Sequence, residues 1–117
     1  MNTKLNHYNR RIAPRLAEVI PLVLHTDRNM VESGRAINIS SSGMRLVVQG
    51  GLAENEEVTL YFHLRGESSE VLQVGGRAVW QEKLGSFGTH VVGLAFHEEK
   101  EPRGRISRWL KRQGSAA

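Results

Sequence analysis

Apolar and polar residues alternate through most of the chain between residues 18 and 97, and this period of two constrains the fold more than any other feature. Ile20, Leu22 and Leu24 begin the pattern, and five later segments continue it. Successive side chains on a strand point to opposite faces, so each segment can bury one face. Short connections rich in Gly, Ser and Asn separate the segments. The pattern predicts a mainly β fold, a six-stranded antiparallel barrel or strongly curled sheet.

The predicted strands cover about residues 18–24, 31–40, 44–48, 58–64, 70–82 and 89–97. Pro21 favours an edge or a bulge in the first, because proline cannot donate to a ladder. Gly34 suggests a bulge in the second, where Ile37 and Ile39 are expected to face the core. Residues 75–76 are both glycine and predict a bend in the middle of the fifth, as at the corner of a barrel.

The spacing of the apolar residues changes near the C-terminus. Ile106, Trp109, Leu110 and Gln113 are spaced as i, i+3, i+4 and i+7, which predicts a short amphipathic α-helix. We expect it to cap one mouth of the barrel, although its basic outer face would also suit a membrane surface or a partner. The chain is thus divided into an N-terminal segment (1–16), a barrel (17–99), the helix (100–113) and a tail (114–117).

Charge is distributed unevenly along the 117 residues. Residues 1–15 hold four basic residues and no acid, and residues 100–117 hold six basic residues and one acid. Residues 16–99 hold six basic and eleven acidic residues. Basic ends on an acidic body indicate anion binding at the termini. The chain has no cysteine, no apolar run long enough to span a membrane and no signal-peptide core, so we expect a cytoplasmic protein.

A run of small polar residues from Asn38 to Gly43 stands between two predicted strands. Asn38 and Ser40 are two residues apart, so their side chains share a face, and Ser41-Ser42-Gly43 is typical of a turn. An amide, a hydroxyl and backbone N–H groups at one strand end suit a ligand with phosphates and hydrogen-bonding edges. A plain hairpin turn would have similar residues.

A basic segment precedes the first predicted strand. Arg11 and Arg15 are four residues apart, and Arg10 stands just before them. Pro14 disfavours a helix here, so the arginines either reach around a ligand from a loop or belong to a solvated basic tail.

The two motifs together, R-x-x-x-R at Arg11 and Arg15 and N-x-S-x-x-G at Asn38, Ser40 and Gly43, resemble the PilZ domain, a bacterial receptor module for cyclic di-GMP. The resemblance covers nearly the whole chain, from about residue 10 to residue 112. It implies that the two arginines bind the phosphates or guanines of the ligand, and a guanidinium fork has the geometry for both.

The same resemblance implies roles for other residues. Asn38 would contribute an amide where the family has Asp or Asn, Ser40 a hydroxyl, and Gly43 a close backbone approach or turn. Arg10 could add a contact at a position that in PilZ domains influences whether one ligand or an intercalated pair binds. Trp80 is similar to an aromatic residue that lies against a guanine in some members, although a core position is equally compatible with its sequence context.

The basic N-terminal segment also predicts a mechanism. Its charges repel one another, so we expect residues 1–15 to be disordered without ligand and ordered when an anionic dinucleotide neutralises the arginines. The ordered segment would then signal to a downstream protein, such as a component of a flagellum, a pilus or an exopolysaccharide system, or a transcription factor.

Other classes of function remain as alternatives. A single-stranded nucleic-acid-binding barrel would fit the basic ends but not the acidic body. A PilZ-like interaction module without ligand is a further alternative, although both motifs are intact here. The five histidines are scattered without helical metal-ligand spacing and there is no phosphate-binding P-loop, so we expect no enzyme, no metal and no cofactor besides the ligand.

Overall fold

The computed structural model describes residues 15–16, 19–28, 30–66 and 70–113, with backbone alone for the first two. The prediction of a mobile segment at residues 1–15 therefore falls almost entirely outside the described residues. The described elements are β1 (Arg15–Leu16), β2 (Ile20–Thr26), β3 (Val31–Ser40), β4 (Gly43–Gln49), β5 (Glu57–Phe62), β6 (Leu72–Leu84), β7 (Thr89–Phe96) and α1 (Lys100–Arg112).

All described strand pairs are antiparallel, in the order β1-β3-β2-β5-β6-β7-β4, and a β3–β4 pairing closes the sheet. The prediction of a six-stranded antiparallel barrel followed by a helix is confirmed. The short strand β1 adds to it by pairing with the last two residues of β3, beyond the stretch that pairs with β2.

The inward faces of the six strands form one apolar core. Ile20, Leu22 and Leu24 of β2 are buried while the residues between them are exposed, as the period of two predicts. Helix α1 packs against β3 and β6 and adds Ile106, Trp109 and Leu110 to the same core. The predicted apolar face of the helix therefore closes the barrel. Within the described residues no helix is long and apolar enough to cross a bilayer.

The bulge in β3 lies at Ile37, three residues after the predicted position at Gly34. The ladder with β4 is regular through Gly34 and shifts between Ala36 and Asn38. Ala36 and Ile39 are fully buried and Ile37 is half-buried, so the expectation that Ile37 faces the core is wrong. The physical reason is that Ile37 is the extra residue of the bulge, so it is left out of the regular alternation between the two faces.

Strand β6 contains a second bulge, at Val79 and not at the glycine pair of residues 75–76. Its register with β5 is regular across both glycines, and its ladder with β7 begins at Gly76 and shifts between Ala78 and Trp80. Gly76 instead allows a close approach of strands, because a Cβ atom there would lie 2.8 Å from the carbonyl oxygen of Ala95.

Pro21 does not lie on an edge strand, since β2 pairs on both sides. Its partner across the β3 ladder is Arg35, whereas the ladder with β5 begins only at Val23. The missing N–H of Pro21 therefore removes no bond from the β5 ladder, which explains how proline is accommodated in an interior strand.

Candidate ligand-binding site

The polar run forms the tight turn between β3 and β4, and the Ser40 hydroxyl organises it. Ser40 is 2% exposed, and its hydroxyl donates to the carbonyl oxygen of Gly43 at 3.3 Å. The N–H of Ser42 donates to the same hydroxyl at 3.2 Å, and the two serine hydroxyls are 3.2 Å apart. Arg103 of α1 adds a bond from Nε to the carbonyl oxygen of Ser41 at 2.9 Å. The turn is therefore held by its own side chains and by the helix.

Strand β1 brings part of the arginine motif next to this turn. Arg15 is the register partner of Ser40, and Leu16 is the partner of Ile39. Adjacent strands of a sheet lie about 4.8 Å apart, so the backbone of Arg15 adjoins the backbone of the second motif. Arg10 and Arg11 lie outside the described residues, as does the side chain of Arg15.

Four strands place a row of residues across the outer face of the barrel. Asn38 of β3 pairs with Arg45 of β4, Arg45 pairs with Gly93 of β7, and Gly93 pairs with Trp80 of β6. Directly paired residues project from the same face of a sheet. Asn38, Arg45 and Trp80 are each half-buried. The sequence-predicted Asn38 and Trp80 therefore belong to one surface, which we call the β3–β4–β7–β6 face.

The indole of Trp80 covers Gly93. A Cβ atom built on Gly93 would lie 2.5 Å from Nε1 of Trp80 and 2.8 Å from its Cε2, closer than side chains pack. Gly93 belongs to the outer face and lies beneath the indole. Trp80 is thus on the outer surface and outside the core, and its contact with a guanine stays a prediction.

The rows on either side of this one are small or apolar at their centre; one has a charged residue at each end and the other has an arginine at one end. One row joins Arg35, Val47, Val91 and Glu82, and the other joins Gly43, Ala95 and Arg77. Val47 and Val91 are buried although they belong to the outer face. An apolar floor with arginines around it suits a planar aromatic ligand that carries negative charge.

A groove of about 370 Å³ adjoins Trp80, lined by Ala53, Glu54, Ala78, Val79, Trp80 and Gln81. Gln81 fixes the loop that forms its far wall by bonding both the N–H and the carbonyl oxygen of Leu52. Glu56 holds the same loop, because its carboxylate accepts the N–H of Ala53 at 2.8 Å and the Arg28 guanidinium at 2.8 and 3.1 Å. The hydrogen bond from Arg28 lowers the pKa of Glu56, against the opposing effect of burial.

Sequence reasoning missed Arg45 and the two valines of the face. The available signal was the alternation after Gly43, in which Arg45 stands between the buried Met44 and Leu46 and must point outward. No group of three or more His, Asp or Glu side chains in the described part of the chain is arranged to hold a metal ion.

Solved structures share this fold at low sequence identity. The Bacillus subtilis inhibitor of motility (MotI/DgrA) aligns with a TM-score of 0.70 and 17% identity, covering 90% of this chain and 51% of its own. The chain therefore spans about half the length of that protein. The PilZ domain of CeSA from a cellulose-synthesizing bacterium aligns with a TM-score of 0.59 and 16% identity, covering 86% of this chain and 97% of its own.

A third structure is the PilZ domain of YcgR from Escherichia coli with c-di-GMP, which aligns with a TM-score of 0.62 and 13% identity. The alignment covers 88% of this chain and 89% of that one. No curated protein matches the sequence significantly. The family model for the PilZ domain matches residues 9–112 and so takes in both motifs, the barrel and the helix. The chain therefore belongs to the PilZ domain family.

Proposed function

We propose that this chain is a cyclic di-GMP receptor that binds its ligand on the β3–β4–β7–β6 face and passes the signal to another protein. Membership of the PilZ family supports this proposal, as does the similarity in fold to a YcgR domain whose structure contains c-di-GMP. PilZ domains are regulatory binding modules, so we expect no catalytic activity.

The observation that carries the proposal is the pairing of β1 with the end of β3. Arg15 and Ser40 are 25 positions apart in sequence, and their pairing brings the second arginine of the R-x-x-x-R motif next to the asparagine and serine motif. Arginine forks bind phosphate oxygens bidentately and also fit the O6 and N7 acceptors of guanine. Arg10, Arg11 and Arg15 would supply such forks beside a face that presents Asn38.

The described geometry divides the second motif between two roles. Asn38 is half-buried on the outer face, in the row with Trp80, and its amide would bond the ligand without adding charge. Ser40 is buried and its hydroxyl is engaged with the turn, so its main contribution would be to hold the turn for the ligand. Gly43 begins β4 in the next row and leaves the floor beside Ala95 without a side chain.

The signal would come from ordering of the N-terminal arginine segment. Fixing each residue of a flexible segment costs roughly 1–2 kcal/mol, so several charge-assisted hydrogen bonds to the ligand are needed to offset the cost. Hydrogen exchange tests this step: residues 5–16 should become protected when cyclic di-GMP saturates the protein. Equal exchange of this segment with and without ligand would disprove the ordering step while leaving binding intact.

Calorimetric titration with cyclic di-GMP tests the receptor function itself. Saturable binding should be lost in Arg15→Ala and strongly weakened in Asn38→Ala, and GTP should not compete. Arg108→Ala is the matched control, because it removes an exposed positive charge from α1 that belongs to none of the strand rows of the β3–β4–β7–β6 face. A folded wild-type protein that gives no binding heat would refute the proposal, and equal losses in Arg15→Ala and Arg108→Ala would refute the site.

A further inference from the structure

Arg45 projects from the outer side of β4, in the middle of the row already described. Its neighbours Met44 and Leu46 are 1% and 0% exposed, so they occupy the inner face and Arg45 the outer one. Arg45 is nevertheless only half exposed, although long basic side chains on a sheet surface are usually solvated. Its stem therefore lies along the face, and does not extend away from it.

Gly93 separates Arg45 from Trp80 without placing a side chain between them. Strand β7 lies between β4 and β6, and Gly93 is the register partner of both Arg45 and Trp80. The indole lies over Gly93, with Nε1 the atom nearest to where a Cβ would be. It is therefore about one strand spacing, roughly 5 Å, from the backbone of β4. Arg45 and the indole of Trp80 are thus immediate neighbours on one surface.

This arrangement has the two groups that recognition of a purine base requires. An indole provides a flat face on which any base can stack, without selecting among bases. A guanidinium at the edge of that base provides two parallel N–H donors, which match the O6 and N7 acceptors of guanine. Adenine presents a donor at N6 in place of O6, so the same guanidinium fits it poorly.

We infer that Arg45 is a specificity-determining residue, which binds the O6 and N7 edge of a guanine stacked on Trp80. The inference rests on the proposed function and assigns a role in it to a residue outside both sequence motifs. In the proposed function the N-terminal arginines bind the ligand from outside the barrel, whereas Arg45 would bind the base from the floor of the site. Discrimination between cyclic di-GMP and cyclic di-AMP would then depend on a side chain of the barrel itself.

Titration of the full chain with both cyclic dinucleotides tests this role. Arg45→Ala should weaken cyclic di-GMP binding about 10-fold to 100-fold, the range of a bidentate base contact, and change cyclic di-AMP binding much less. Arg45→Gln should reduce the preference for cyclic di-GMP over cyclic di-AMP further, because glutamine pairs with N6 and N7 of adenine. Arg45→Lys should keep part of the affinity and part of the preference for cyclic di-GMP, since an ammonium can still donate to O6 and N7 but lacks the planar fork.

Arg108→Ala again serves as the control for loss of one positive charge and should leave both affinities within about two-fold of wild type. The inference is overturned if Arg45→Ala matches this control, or if it weakens both ligands by the same factor. Thermal unfolding of each variant checks that it is folded, and Arg45→Gln keeps the test valid should Arg45→Ala fail to fold. A wild-type protein that binds neither dinucleotide would overturn the proposed function, and the role of Arg45 with it.

Discussion

The two tryptophans of the chain allow a matched test of how α1 is held to the barrel. Trp109 is 0% exposed and its Nε1 donates to the carbonyl oxygen of Arg65 at 2.7 Å, whereas Trp80 is half-buried on the outer face. Trp109→Phe removes that hydrogen bond, at a cost of about 1 kcal/mol. It also leaves a small void in a close-packed core, at a cost of about another 1 kcal/mol.

We therefore expect Trp109→Phe to lower the free energy of unfolding by about 2 kcal/mol and the Tm by roughly 8 °C for a domain of this size. Trp80→Phe should lower the free energy of unfolding by less than about 1 kcal/mol, because its ring lies on the surface. Urea unfolding followed by circular dichroism measures both variants without relying on tryptophan emission. Equal stability of the two variants would refute the view that the indole of Trp109 joins the helix to the barrel.

Stability should also depend on pH through Glu56, whose pKa is lowered in the folded state by Arg28. The stabilisation is present above the unfolded pKa of about 4.3 and is lost as the pH falls through the lower pKa of the folded state. The urea unfolding midpoint should therefore decrease more steeply with falling pH in the wild type than in Glu56→Gln. Gly76→Ala should destabilise by about 1–3 kcal/mol, because its Cβ would meet the carbonyl oxygen of Ala95 at 2.8 Å. Gly104→Ala should instead stabilise α1 by about 0.5–1 kcal/mol, since its Cβ would meet only the flexible end of an arginine side chain at 3.4 Å. A less stable Gly104→Ala variant, or a Gly76→Ala variant as stable as the wild type, would contradict these expectations.

The period of two was sufficient to predict the barrel because each strand must bury one face. The change to a helical period after residue 99 likewise predicted α1 and its buried residues, including Ile106 and Trp109. Both signals are local, since a side chain's direction follows from its neighbours in the same element. Both signals can therefore be used without knowing how the strands and the helix pair with one another.

The composition of the site could not be predicted in the same way, because it depends on register between distant strands. Arg45 and Gly93 are 48 positions apart and meet only through the β4–β7 ladder. Gly93 has no side chain, so nothing in its local sequence marks it as the place where Trp80 lies. Asn38 could be predicted as a candidate because its motif is contiguous, whereas Arg45 belongs to no motif.

The two bulges explain why the local pattern misplaced some residues, and they connect these errors to the site. In β3 the buried Ala36 would put Asn38 on the inner face if the strand were regular, and the extra residue Ile37 turns Asn38 outward. In β6 the buried Ala78 would put Trp80 inward, and the extra residue Val79 turns it outward onto Gly93.

Bulges commonly re-aim side chains next to functional sites, at some cost to the ladder. Here each of them stands directly before one end of the same row, the β3 bulge before Asn38 and the β6 bulge before Trp80. A regular barrel of this sequence would direct an amide and an indole into its core and leave the outer face without them. The departures from regular strand structure are therefore what place an amide and an indole on the outer face of the barrel, as the proposed ligand site requires.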